Sequence, residues 1–551
     1  MADSGFLPSP TALAPLVREI ELVAAANAMP VLTFGAYEDY FRTGRRLVYE
    51  ELYFRRRATL TAQVAEALLK PGVSTAMLCD TLWSVCDEYT WALPAHVGGC
   101  ADPRQCVDLF AAETAHTLAE TVAALDSRLD PMVTARVREE IDRRVFVPYS
   151  GSLPLAWEGF GNNWESVCGG AVGMAALALL GRSTKDSDRL TVMLDRSRRA
   201  MDRFLAGFGD DGGCLEGISY WVYGFGYFVY FAEALREHTG EDLMVAPKIR
   251  EIAAFASRVA LGGGAYASFS DTTDRPWFPA GLLTRLAERF GTPPPEKVPS
   301  FHDDHCYRWA HVSRNLAWFD SIVPQVRGQL TSFLPDAGWV IDRGRHAFAA
   351  KGGHNDEPHN HNDLGHFILH THGESVLADL GAAEYTSEYF GTNRYESPYA
   401  SALGHSVPVV DGNEQLPGRE RAARVLHYQA NDDGAEFDLE LTAAYEVAGL
   451  RSLVRRFRWS RSGRLELTDE VTADRPLTVD EMFISRHRPS LSDIGANWSG
   501  LVVLEHEGAE ASVDELLLTD HFQRPDRVFR LRCRRLAPAG YSAHRFVFRL
   551  D

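Results

Sequence analysis

Between residues 351 and 381 the chain reads KGGHNDEPHNHNDLGHFILHTHGESVLADLG, and this stretch holds His354, His359, His361, His366, His370 and His372 out of nineteen histidines in all. Neutral imidazole is the commonest protein metal ligand and a general base near neutral pH, so such density asks for chemistry rather than packing. Asp379 closes the apolar run, and His405 follows in GHSVPVVDG. Two imidazoles and one carboxylate make a sensible zinc site. If 359–361 is a strand, residues two apart share a face, and spacing alone makes both His359 and His361 ligands. Taken singly, His366, His370 and His372 read as strand residues of ordinary facing.

Such groups need a rigid frame, and the chain changes period to supply two. Up to about Phe333, apolar residues recur at three- and four-residue spacings, as in 59–70, 106–129, 131–145 and 188–208, which predicts helices. KPG at 70–72, DDGG at 210–213 and TPPPE at 292–296 separate them. Many helices on short turns predict a helical toroid or solenoid. Beyond Ser332, segments such as 337–343, 346–351, 365–371, 424–430, 436–442, 463–471 and 527–536 alternate or run β-rich between Gly, Asp, Pro and Asn turns. The predicted class is α+β multidomain: an α/α toroid over 1–330, then an antiparallel β-sandwich over 331–551, with the change of period near 325–335. A cleft between two packed domains is a natural place for a ligand.

The net charge of −19, from 56 basic and 75 acidic residues, argues against a nucleic-acid partner. A local cluster of Arg, His and Asn can still hold an anionic sugar. No run of about 18 apolar residues marks a membrane span. The opening MADSGFLPSPTALAPLVREIELVAAANAMP lacks a basic start, and Arg18, Glu19 and Glu21 break its apolar stretch, so it reads as a helix rather than a secretion signal. Eight cysteines, from Cys79 to Cys533, form no CxxC pair and read as reduced, buried thiols. Together these features predict a cytoplasmic protein. A homo-oligomer is neither required nor excluded.

The block HNHNDLGHFILHTHGESVLADLGAAEY, followed by RYESPYASALGHSVPVVDG, resembles the C-terminal domain of heparinase II/III-like lyases, a family that includes heparinases and oligoalginate lyases. The pattern H-x-H-x-D-x-G-x-F, a strand ending in Asp, a Tyr, and His-Ser before a VVDG strand is carried by His359, His361, Asp363, Gly365, Phe367, Asp379, Tyr395, His405, Asp411 and Gly412. WALPAH (91–96), GNNWESVCGG (161–170) and DGGCLEGISYWVYG (211–224) are similar to segments of that family's helical domain, so the likeness runs from about 85 to 415. The resemblance implies a structural zinc ion held by His361, Asp379 and His405, with His359 turned to the substrate.

It also implies β-elimination at a uronic acid. That reaction needs the C6 carboxylate neutralised, a base for the C5 proton and an acid for the leaving O4. Asn162 and Asn163, before Trp164 at a helix start, suit the carboxylate. Relatives with Asn-His there leave open which Asn touches the sugar. Tyr223 is the candidate proton-transferring tyrosine, with Tyr220 in reserve on the same helix face. His359 and Tyr395 are candidate bases, and Arg394 could lower a tyrosine's pKa. Tyr385 and Tyr399 are decoys. Trp91, His96 and Glu216 would line the helical wall, with Trp91 stacking on a sugar ring.

The expected partner is a uronic-acid-containing oligosaccharide. Two other functions fit the same residues. A zinc-dependent glycan hydrolase would need metal-bound water and a carboxylate base, for which Asp356, Glu357 and Asp363 are near. A non-catalytic carbohydrate-binding protein on the same fold would lack the Tyr and His set. A cupin needs a Glu three or four residues after its HxH pair, which neither His359-Asn360-His361 nor His370-Thr371-His372 has.

Overall fold

The computed structural model describes residues 12–151, 153–181, 183–320, 329–506 and 508–551. Among them, no helix is long and apolar enough to cross a membrane. The chain forms two compact units. The first comprises the described residues up to Phe208, Tyr220–Ala253 and those from Trp277 to 320. The second comprises Gly209–Ser219, Ala254–Pro276 and those from 329 to Asp551. The predicted change of period, near 325–335, lies outside the described residues at 325–328. A single cut at 330 therefore misses two excursions. Gly209–Ser219 is mostly turn, and Ala254–Pro276 takes in the end of the helix Pro247–Arg258 and the hairpin Ala260–Gly262/Ala265–Tyr266.

The first unit is helical. Its hub is the helix Asn163–Leu180, capped by the Asn162 side chain, which accepts the Trp164 N–H at 3.1 Å. That helix is buried almost all round and packs against Leu109–Leu125, Ser187–Ala206 and Gly226–Thr239. Such a helix needs small residues, and GGAVGMAALA supplies them: a Cβ on Gly173 would stand 2.4 Å from the Phe231 ring. The expected helical start is met by Ala14–Ala26; residues 1–11 lie outside the described residues.

The second unit holds three larger antiparallel sheets. One runs Arg424–Ala430, Gly434–Glu440, Leu450–Ser460, Arg464–Ala473, Gly540–Leu550, Val502–His506, Gly495–Trp498, Ser490–Ser492. A second runs Glu510–Thr519, Pro525–Ala537, Leu477–Ser485, Pro408–Val410. The third runs Thr331–Leu334, Trp339–Arg343, Ala347–Lys351, Phe367–Thr371, Glu374–Leu377. Alternation along Leu450–Ser460 and Arg464–Ala473 turns Leu453, Phe457, Trp459, Leu465 and Leu467 into one core with Phe348, Phe367, Phe483 and Phe548.

The same alternation buries Arg455. It faces Asp469 on the neighbouring strand, donating to both carboxylate oxygens at 2.9 and 2.7 Å, and reaches Glu481 of the second sheet at 2.7 Å. Its remaining nitrogen donates to the carbonyls of Gly365 (3.0 Å) and Ser406 (2.8 Å). Arg455 thus anchors both loops that carry the histidine cluster. Removing one partner of a buried network costs about 3–5 kcal/mol. Arg455→Met should therefore lower unfolding stability by that amount in a denaturant titration; an unchanged midpoint would refute this role.

Candidate active site and metal centre

His359, His361 and Asp363 lie on the loop between the short strand His354–Asn355 and the strand Phe367–Thr371. No strand face is shared at 359–361, so the spacing argument for two ligands fails. His359 takes the left-handed conformation, φ 58°, and the two imidazoles go separate ways. Gly365 ends the turn at φ 84°; a Cβ there would lie 2.8 Å from Leu441 Cδ1 and 3.2 Å from Arg455 Cδ. Asp379 follows the strand Glu374–Leu377, and His405 follows the short helical turn Ala402–Gly404.

His361, Asp363, Asp379 and His405 are all buried, and one ligand atom from each lies within 4.8 Å of the others. Their hydrogen bonds assign the protons. His405 Nδ1 donates to the Ser401 carbonyl at 2.8 Å, leaving Nε2 as a lone pair. His361 Nε2 donates to Asp271 Oδ1 at 2.9 Å, leaving Nδ1 as a lone pair. These two lone pairs face each other at 3.2 Å. Burial lowers both imidazoles' pKa, that of His405 to about 4, so no second proton relieves the clash. Among the described residues the buried Asp379 Oδ2 has no hydrogen-bond partner; His366 Nε2 is 3.4 Å and His405 Nε2 3.7 Å away. Asp363 Oδ2 is likewise orphaned, while its Oδ1 holds the buried Lys351 ammonium at 2.7 Å. Facing lone pairs and orphaned carboxylate oxygens fit a metal cation. The expected trio is brought together, with Asp363 as a fourth member.

His359 lies beside this centre with its side chain 16% exposed. Its Nδ1 donates to Asp271 Oδ2 at 3.0 Å, so Nε2 carries the lone pair, 3.9 Å from Glu216 Oε2. Glu216, expected on the helical wall, is thus a buried neighbour of His359 in the second unit. Arg394 was expected to act on Tyr395. Instead its guanidinium binds Asp271 Oδ2 at 2.9 Å and lies 4.4 Å over the Tyr389 ring, because adjacent residues of the turn Arg394–Glu396 diverge. The Tyr395 hydroxyl accepts from Asn360 Nδ2 at 3.1 Å. Tyr385 stacks at 6.1 Å on the His359 ring, whereas Tyr399 is buried and bonded to Asp526.

In the helical unit Tyr223 lies in the π-helical turn Trp221–Phe225, a distortion frequent at functional sites. Its hydroxyl donates to Glu113 Oε1 at 2.8 Å, and Arg308 Nε donates to the same oxygen at 2.9 Å while its guanidinium covers the Tyr223 ring at 4.1 Å. Burial and then the charge of Glu113 push the Tyr223 pKa well above the usual phenol range. Tyr220 is half-buried just before the π-turn. Asn162 serves as the cap, and Asn163 is buried in the first helical turn. His96 Nδ1 pairs with Asp108 Oδ2 at 2.7 Å, and its ring meets Trp164 edge-on at 4.8 Å.

The expected stacking role of Trp91 is corrected. The indole is 1% exposed, donates to the Val85 carbonyl at 2.9 Å and offers no face to a sugar. Cys100 and Cys106 form a disulfide, which corrects the reading of all cysteines as thiols. Asp271, Glu113 and Arg308 escaped the sequence reading. Asp271 sits in SFSDTTD with no motif to mark it, whereas Glu113 in the apolar helix LFAAETAHTL was a visible anomaly.

A helical unit joined to an antiparallel β-unit with a buried His/Asp centre defines the class. Residues 327–524 match the family described as Heparinase II/III-like, C-terminal. No curated protein matches the chain. Among solved structures, heparinase III aligns at TM-score 0.66 and 11% identity over 100% of this chain and 93% of its own. Heparan sulfate lyase HepC from Pedobacter heparinus aligns at 0.61 and 13%, over 98% and 88%. The chondroitin AC lyase of Streptomyces coelicolor A3 aligns at 0.58 and 11%, over 100% and 81%. At such identities these likenesses establish the fold, an α/α toroid followed by a β-sandwich.

Proposed function

We propose that the protein is a polysaccharide lyase that cleaves at a uronic acid by β-elimination, leaving a C4–C5 double bond. The observation that carries this reading is His359. In a heparinase II/III-like domain, beside a metal-shaped cluster, one partly exposed imidazole has its Nδ1 proton tied to the Asp271 carboxylate, which makes Nε2, turned toward Glu216, its basic nitrogen. That is the state of a general base. The base takes the C5 proton, the C4–O4 bond breaks with electrons leaving on O4, and an acid returns a proton to that oxygen. Tyr223, a phenol held neutral against Glu113, suits the acid. His96 in the helical unit, and Tyr395 and Tyr385 in the β-unit, remain candidates for sugar contacts, whereas Asn163, like Trp91, is buried.

The metal is proposed to be zinc, held by His361, Asp379 and His405 with Asp363 adjacent. Two nitrogens on a tetrahedral zinc with bonds of about 2.0–2.1 Å stand roughly 3.3 Å apart, and His361 Nδ1 and His405 Nε2 stand 3.2 Å apart. Bound there, the ion supplies rigidity to the loop of His359. Metal analysis of purified protein should give about one zinc per chain, and His405→Ala should lose it and melt earlier. Retention of zinc by that variant would overturn the ligand set.

The lyase reading is tested on a panel of uronate-containing polymers and oligosaccharides, followed by the ultraviolet absorbance of the unsaturated uronate. Reducing ends without that absorbance would favour a hydrolase, and binding without cleavage a lectin-like protein. The preference for oligosaccharides leaned on a cytoplasmic location, whose cysteine argument the Cys100–Cys106 bond removes, so the panel spans both sizes.

A further inference from the structure

The segment Ala254–Pro276 supplies neither a metal ligand nor a group that reacts, yet one buried carboxylate on it touches both sets. Asp271 Oδ1 accepts from His361 Nε2 at 2.9 Å and from the Tyr389 hydroxyl at 2.6 Å. Its Oδ2 accepts from His359 Nδ1 at 3.0 Å and from Arg394 Nη2 at 2.9 Å. Four donors fill the capacity of a carboxylate. Asp271 is therefore neither a base nor a ligand in this arrangement; its saturated oxygens can only dictate where the surrounding protons sit.

The backbone around it is built for that. Ser270 takes φ 72°, its hydroxyl donates to the Leu215 carbonyl at 3.0 Å, and Thr272 Oγ1 meets Ser219 Oγ at 2.6 Å. Gly381 packs so closely that a Cβ would lie 2.2 Å from the Thr272 carbonyl oxygen. A strained, non-glycine residue pinned on both sides is a costly way to place one side chain.

We infer that Asp271 is a positioning residue that couples the metal centre to the base, its catalytic half resting on the lyase reading above. Accepting from His359 Nδ1 makes Nε2 the basic nitrogen, the one that would take the C5 proton. Accepting from His361 Nε2 leaves Nδ1 open for the metal. One carboxylate thus selects the tautomer of both imidazoles and fixes their separation. Asparagine would keep the size but present an N–H₂ to two of the four donors, so at least one imidazole must turn or change tautomer.

The test compares full-length wild type, Asp271→Asn and Tyr389→Phe. The second variant removes one donor to Oδ1 and leaves both imidazole bonds. Circular dichroism and melting establish that each is folded. Zinc affinity is read by competition with a chromophoric chelator, and turnover at saturating zinc on whichever panel substrate the wild type cleaves. Asp271→Asn should bind zinc about 10–100-fold more weakly and lose kcat by a similar factor with KM little changed; Tyr389→Phe should lose less of both. Wild-type zinc affinity in Asp271→Asn would overturn the inference. So would full kcat at saturating zinc, or a rise in KM alone. If the wild type yields no unsaturated product, the lyase reading fails, and the chelator competition still decides the metal half by itself.

Discussion

His359→Ala is expected to lower kcat by about 10²–10⁴-fold, the usual contribution of a positioned general base, while leaving the fold and the zinc content intact. The two expectations belong together. His359 and His361 are two residues apart, and on a strand both would ligate the metal. The loop breaks that equivalence: His359 Nδ1 goes to Asp271 Oδ2, whereas His361 turns Nδ1 toward His405 Nε2 at 3.2 Å. His361→Ala should accordingly lose zinc, and His359→Ala should not. KM should move little, since the missing group acts in the transition state more than in binding. Steady-state kinetics with metal analysis of both variants decides the matter. If His359→Ala loses its zinc, or turns over like the wild type, the assignment of His359 as base is wrong.

The period of the chain was legible wherever one face is buried. Arg464–Ala473 and helices such as Ser187–Ala206 came out within a residue or two, because alternation and three–four spacing follow from which side chains avoid water. The trio His361, Asp379 and His405 was legible through family pattern, not through geometry: spacing by itself put His359 on the metal. What stayed hidden were partners set by tertiary folding. Asp271 lies 88 residues before His359, and Glu113 lies 110 before Tyr223, so no local pattern announces either contact. Trp91 shows the converse. An aromatic beside a proline and a histidine looks like a sugar platform, yet its indole N–H finds the Val85 carbonyl and the ring disappears into the core. Burial of aromatics is decided by neighbours distant in sequence.

Tyr223→Phe should lower kcat by a comparable 10²–10⁴-fold, about the worth of a positioned proton donor, at a stability cost of only ~1 kcal/mol for the lost hydrogen bond. The proposed role of acid rests on its surroundings. Burial and the charge of Glu113 raise the phenol's pKa, against the lowering effect of Arg308, so Tyr223 is protonated through the neutral and mildly alkaline range. A base would need the opposite shift. The sign can be checked: Glu113→Gln removes a negative charge that raises the pKa and leaves Arg308, which lowers it, so the phenol must ionise at lower pH than in the wild type. An acid lost to ionisation stops working, and the alkaline limb of kcat/KM should move to lower pH in Glu113→Gln and be insensitive to Tyr223 in a Tyr223→Phe background. Tyrosinate absorbance during the same titration reports the ionisation directly. If the limb stays in place while the tyrosinate signal shifts, Tyr223 ionises without consequence, and the acid is another group. If turnover rises as Tyr223 ionises, Tyr223 is the base and His359 must be given the other role.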